Sequence, residues 1–175
     1  MPAARRRLTV AAAAVAGLGL ATAGGRLLLH QSAKSIRSRT DEELDPLYEL
    51  PQDVEHHDIV STDGGTIHLI ERGDGRPLLL IHGITLQAGV WAPQFHLLAD
   101  RYRVIAMDVR GHGRSVAGSD GFGRKIAARD VATVVEHFDL RDTIIVGHSM
   151  GGMILMEFAG DFPELLAERV AGLVF

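Results

Sequence analysis

The sequence predicts an α/β fold: a mostly parallel sheet with helices on both faces, preceded by an N-terminal apolar helix. Three observations carry this expectation. Short apolar runs recur at Pro77–His82, Arg103–Asp108, Thr143–Val146 and Val170–Phe175, as strands buried on both faces require. Between them, apolar residues return at helical spacing. A basic, apolar N-terminus also stands apart from an acidic remainder. Residues 1–40 carry seven basic side chains and no acid, whereas residues 41–175 carry 11 basic and 22 acidic ones. The 175 residues are 46% hydrophobic and 23% charged, with no Cys. That suits about one globular domain and excludes a disulfide scaffold and any thiolate site. An acidic domain without a clustered basic patch also argues against nucleic-acid binding.

Taken in order, residues 1–30 read as a membrane anchor or signal segment. Leu8–Gly25 is free of charge and follows Arg5-Arg6-Arg7. As an anchor, residues 8–29 approach the ~20 needed to span a bilayer, with Arg26 snorkelling to the interface. As a signal peptide, the segment offers an A-x-A site at Ala21-Thr22-Ala23 and export after cleavage near Ala23. The arginines also allow a twin-arginine address. An Ala-rich soluble helix is the plain alternative, and the anchor leads. Residues 31–53, with Pro46 and Pro51, read as a linker.

Residues 54–175 form the domain. Val54–Ser61 and Thr66–Glu71 flank Asp63-Gly64-Gly65, the turn chemistry of a hairpin. Helices are expected over Ala88–Ala99, Phe122–Phe138, Met150–Ala159 and, after Pro163, to Arg169. The last apolar run has no polar residue to end it, so the sheet reads as incomplete at its C-terminus, a fragment.

The sharpest chemical signal is Gly147-His148-Ser149-Met150-Gly151-Gly152. As a bare G-x-S-x-G pattern it is modest, and the bland reading is a glycine-rich turn with an idle serine. Its context is what matters: a buried strand runs in and an apolar helix runs out, the setting of a nucleophile elbow. A serine on that turn takes strained backbone angles, and Gly147 and Gly151 remove side chains that would clash. The helix N-terminus then favours negative charge developing beside Ser149. The second signal, His82-Gly83-Ile84, leaves the strand Pro77–Ile81. Gly83 lets the chain turn so that the Ile84 N–H pairs with that of Met150 as an oxyanion hole. Alone, it is a plain turn. The third, Asp108-Val109-Arg110-Gly111-His112-Gly113-Arg114-Ser115, reads as a turn held by hydrogen bonds and charge pairing. Val116 stands where a dinucleotide fingerprint needs its third glycine. His56 and His57 point to opposite faces of a strand, and no H-x-x-x-H spacing occurs, so no metal is expected. Trp91, on the helix 88–99, is a candidate wall of the entrance, with core packing as the alternative.

These three motifs, in this order and spacing, resemble the α/β-hydrolase superfamily over roughly Val54 to Phe175. The resemblance implies an eight-stranded sheet whose second strand is antiparallel, a cap inserted after the sixth strand, and a Ser–Asp/Glu–His triad. It makes Ser149 the nucleophile and the Ile84 and Met150 amides the oxyanion hole, with His82 shaping the oxyanion loop; His82 and Gly83, with Trp91, are also candidate substrate-binding residues. It also implies that the triad acid and histidine follow later strands. No His follows Ser149 in this sequence, and without a base the hydroxyl is a weak nucleophile. The expected activity is serine hydrolysis of a small ester-like substrate through an acyl-enzyme, without a cofactor. Cofactor-free haloperoxidase-like or acyltransferase chemistry, or a non-catalytic membrane-tethered binding module, are the alternatives.

Overall fold

The computed structural model describes residues 45–175. The apolar segment 8–29 and most of the 31–53 linker lie outside the described residues. Six strands form one sheet: β1 (Glu55–Val60), β2 (Thr66–Arg72), β3 (Arg76–Ile81), β4 (Tyr102–Met107), β5 (Thr143–Gly147) and β6 (Val170–Val174). Their order is β1-β2-β4-β3-β5-β6. β2 runs antiparallel to both β1 and β4, while the β4–β3, β3–β5 and β5–β6 pairs are parallel. The antiparallel second strand is as the resemblance implies.

Alternation along the strands accounts for the unbroken apolar runs. In β3, Leu79 and Ile81 join a core with Ile105, Met107 and Ile145 on one face, under helices α2 (Arg124–His137) and α3 (Met150–Asp161). Leu78 and Leu80 join Val104 and Ala106 on the other, against α1 (Ala92–Leu98) and its Phe95. Each central strand therefore carries apolar residues on both of its faces. A short α4 (Pro163–Arg169) leads into β6.

Two expectations change. The helix expected over 88–99 is split into a 3₁₀ turn at Ala88–Trp91 and then α1. Pro93 has no N–H to donate and is tolerated only in a first turn, so the α-helix starts beside it. Residues 46–53, the end of the expected linker, also pack onto the domain. A 3₁₀ turn spans Asp45–Tyr48, Leu50 lies against the α1-side core, and the Arg72 Nε–H donates to Asp53 at 3.0 Å.

Candidate active site

Three loops meet at the C-terminal edges of β3, β4 and β5, where open α/β sheets bind ligands. The tightest is the β5–α3 turn. Ser149 sits there at φ 54°, ψ −111°, a conformation that costs an L-residue about 1–3 kcal/mol. Two glycines permit it. A Cβ on Gly147 would lie 2.5 Å from the carbonyl carbon of Gly151, and one on Gly151 would collide with the Ile81 carbonyl oxygen. The His148 N–H donates to that Ile81 carbonyl at 2.9 Å, which ties the elbow to the end of β3. Met150 opens α3, so its N–H has no partner within the helix.

The β3 loop runs against the elbow. A Cβ on Gly83 would stand 3.2 Å from Ser149 Cβ and 2.9 Å from His148 Nδ1, so the loop packs closely against the side chains of the elbow. Ile84 follows, exposed, and Thr85 takes a positive φ of 63°. The Leu86 N–H closes the turn on the Gly83 carbonyl at 3.3 Å.

His82 is fully buried and acts as a strut. Its Nε2 accepts from the Val109 N–H at 2.9 Å, which leaves Nδ1 to donate to the Gly83 carbonyl at 2.7 Å. This fixes a neutral ring in one tautomer, and burial pushes its pKa below the usual histidine value. With both nitrogens engaged, the ring offers nothing to a ligand. The expected role in shaping the loop matches this geometry; the expected substrate contact does not. Trp91 likewise packs on the α1 side, lining a surface groove with Leu78, Leu80, Ile144 and Val146. It is not among the residues gathered around Ser149, so the packing alternative describes it.

The β4 loop is held as a charge-paired turn. Asp108 accepts from the Ala88 N–H at 2.6 Å and the Arg114 N–H at 2.8 Å, binding the β3 and β4 loops together. Arg110 uses all five of its donors. Nε and Nη2 grip both Asp130 oxygens at 2.7 and 2.8 Å, Nη1 reaches Asp63 at 2.9 Å and the Gly121 carbonyl at 2.7 Å, and Nη2 also meets Ser61 Oγ at 3.3 Å. Burial opposes the Arg110 charge, but the bonds to Asp130 and Asp63 outweigh it and raise the pKa. The same guanidinium holds the Asp63 carboxyl well below the usual carboxylate range.

Sequence reasoning missed Asp63 and Asp130 as partners. The available signal was Asp130 itself, a carboxylate on the face of α2 that also buries Ala127, Val131 and Val134. A charge there demands an opposite charge. As expected, His56 and His57 face opposite ways: His56 stacks on His68 and His57 meets Phe138 edge-on.

Comparison with known proteins agrees with this geometry. The profile of the alpha/beta hydrolase fold family matches residues 76–175. The chain belongs to that family. It is 40% identical over 117 residues to a non-heme haloperoxidase from Rhodococcus erythropolis, covering 66% of this chain and 40% of the relative. Among solved structures it is similar to the esterase EaEST from Exiguobacterium antarcticum, at TM-score 0.63 and 28% identity over 68% of this chain and 44% of that one. The epoxide hydrolase CorEH is similar at TM-score 0.62 and 31% identity, over 69% and 41%. The chain spans about two-fifths of the length of the curated relatives it matches.

Proposed function

We propose that Ser149 is the nucleophile of a serine hydrolase acting on a small ester-like substrate. The observation that carries this reading is the backbone of Ser149, at φ 54°, ψ −111° in a turn that tolerates only glycine at Gly147 and Gly151. Strain of that kind persists where it exposes a reacting atom. Ser149 Oγ attacks the carbonyl carbon and the Ile84 and Met150 N–H groups hold the oxyanion. The alcohol leaves, and water then releases the acid from the acyl-enzyme. The proton of Oγ needs a base. His82 is committed at both nitrogens, and His148 is the immediate neighbour of Ser149, with Nδ1 against Gly83. In this reading the base and acid come from outside residues 1–175, at the later positions the family resemblance implies.

A fluorophosphonate probe applied to the protein expressed from its complete reading frame tests the reading. Labelling is expected in the wild type and absent in Ser149→Ala; an unlabelled wild type would overturn the assignment.

The identity with the non-heme haloperoxidase favours a second reaction at the same serine. Hydrogen peroxide in place of water would attack the acyl-enzyme carbonyl and release a peracid, which oxidises halide. Halogenation that survives Ser149→Ala would refute this. Residues 8–29 belong to the proposal as a membrane anchor, with an export signal cleaved near Ala23 as its alternative. Among the described residues no helix is long and apolar enough to cross a membrane.

A further inference from the structure

The β1–β2 hairpin carries a cluster of polar side chains that the site around Ser149 does not use. Asp58 pairs directly with His68 across the hairpin, and His56 lies two residues away on the same face of β1. His68 is buried, its side chain 4% exposed. The exposed His56 ring stacks on it, with centroids 5.3 Å apart and 20° between the planes. His68 Nδ1–H donates to Asp58 at 2.8 Å, and His56 Nδ1 faces His68 Nε2 at 3.3 Å. Arg114 of the β4 loop donates to the same His56 nitrogen at 3.3 Å. Beside the rings lies a cavity of about 130 Å³ whose walls include Leu50, Gln87, Gly89 and Asp108. We propose that the stacked histidines are a proton-operated latch. With one hydrogen between the rings they hold the head of β1 on the domain; a second, taken up as pH falls, expels His56 and frees the chain from Leu50 to Glu55.

Donor counting gives the limit. The gap of 3.3 Å between the facing nitrogens has room for one hydrogen. A second sets N–H against N–H, beside an Arg114 guanidinium that can only donate. It also adds a positive charge where one already stands. The charged and titratable groups that face His56 are Asp58 on its own strand, His68 on β2, and Arg114 and Asp108 from the β4 loop. His57 points to the opposite face, and Asp108 is occupied by the Ala88 and Arg114 N–H groups. Partial burial, His68 and Arg114 oppose a charge on His56 and outweigh the attraction of Asp58, so its pKa falls below the ordinary 6.5. The released chain therefore binds the proton more readily. The tie is fully present above that value and is lost as pH falls below it.

The chain ahead of β1 depends on the latch because little else holds it. Leu50 and Val54 are only partly buried against the α1-side core. The other ties, His96 Nε2 to the Glu49 carbonyl at 2.9 Å and Arg72 to Asp53 at 3.0 Å, are exposed, and exposed polar pairs contribute little. Once freed, Leu50–Glu55 adds roughly 20 Å of extended chain ahead of the sheet. Histidine suits such a latch because its charge changes between about pH 5 and pH 8.

Hydrogen–deuterium exchange of the protein from its complete reading frame, compared at about pH 8 and about pH 5, tests the latch. After correction for the intrinsic rate, peptides over residues 49–56 are expected to exchange about tenfold faster at the lower pH, the scale of one lost hydrogen bond, with β3 and β4 unchanged. His56→Gln, at an exposed position, keeps a polar group but gains no proton, so its peptides are expected to stay slow at both values. His56→Lys is expected to be fast at both. No acceleration in the wild type, equal acceleration in His56→Gln, or a difference that disappears in His96→Gln instead would overturn the latch. If His56→Gln exchanges fast at both values, the ring nitrogen shifts of the ¹⁵N-histidine protein decide. His56 is expected to gain its charge over the range in which exchange rises, and a His56 that stays neutral there overturns the proposal.

Discussion

Ser149 holds its backbone where side-chain-bearing residues rarely settle, and its two flanking glycines leave no room for a methyl group. Strain and fit give opposite expectations for single substitutions. Ser149→Gly relieves the positive φ at the cost of a more flexible unfolded chain. It is expected to raise stability by about 1 kcal/mol while abolishing probe labelling, as read by denaturant unfolding and a gel. Gly151→Ala forces a Cβ into the Ile81 carbonyl oxygen, and is expected to cost ~1–3 kcal/mol and to lose labelling by displacing the elbow. A destabilised Ser149→Gly would contradict the strain argument. This part of the site was legible in the sequence because the glycine requirement is local: strand, G-x-S-x-G and helix are contiguous. The place of His82 was only half legible. Its adjacency to Gly83 marked it as a loop residue, but the Val109 N–H that occupies Nε2 lies 27 residues away.

At the level of elements, Arg110 decides how the β1–β2 turn, the β4 loop and α2 sit together. Arg110→Met leaves the buried Asp130 carboxylate without its cation, and is expected to cost about 3–5 kcal/mol in urea unfolding. The Asp63 end adds a pH signature. Its folded pKa lies below the ordinary 3.8, so the unfolded chain binds the proton more readily. The stabilisation is fully present above that value and is lost as pH falls below it. Acid titration of unfolding is expected to show this decline in the wild type and a shallower one in Arg110→Met; identical curves would refute the pairing. The sequence announced the turn but not its partners, which lie 20 and 47 residues from Arg110. Strand boundaries were legible for a different reason: two-sided burial writes an apolar run into the sequence. The helix over 88–99 was misread in its first turn because Pro93 suits a helix start as well as a break.

On the scale of the whole molecule, sequence and structure agree on a six-stranded, mostly parallel sheet, with the Ser149 turn at the C-terminal end of β5. The fold class was legible because each motif directly follows a buried strand. The way the β4 loop, α2 and α3 come together was not, because no one of them announces its neighbours. The charge division between residues 1–40 and 41–175 bears on location. If residues 8–29 anchor the protein, it stays in the membrane pellet after alkaline carbonate washing, and deleting residues 1–30 releases it. Recovery of a mature N-terminus near Gly24 would support export instead. The Arg110 network has a further consequence for synthesis. Ser61 and Asp130, which share it, are 69 residues apart, so at ~5–20 residues per second the turn emerges from the ribosome roughly 3–14 s before its partner helix. During that interval β3 and β4 are themselves being made, and the β1–β2 turn lacks the α2 carboxylate that ties it to the β4 loop. Until α2 arrives the turn is held by its own hairpin alone, and β5 with Ser149 follows later still.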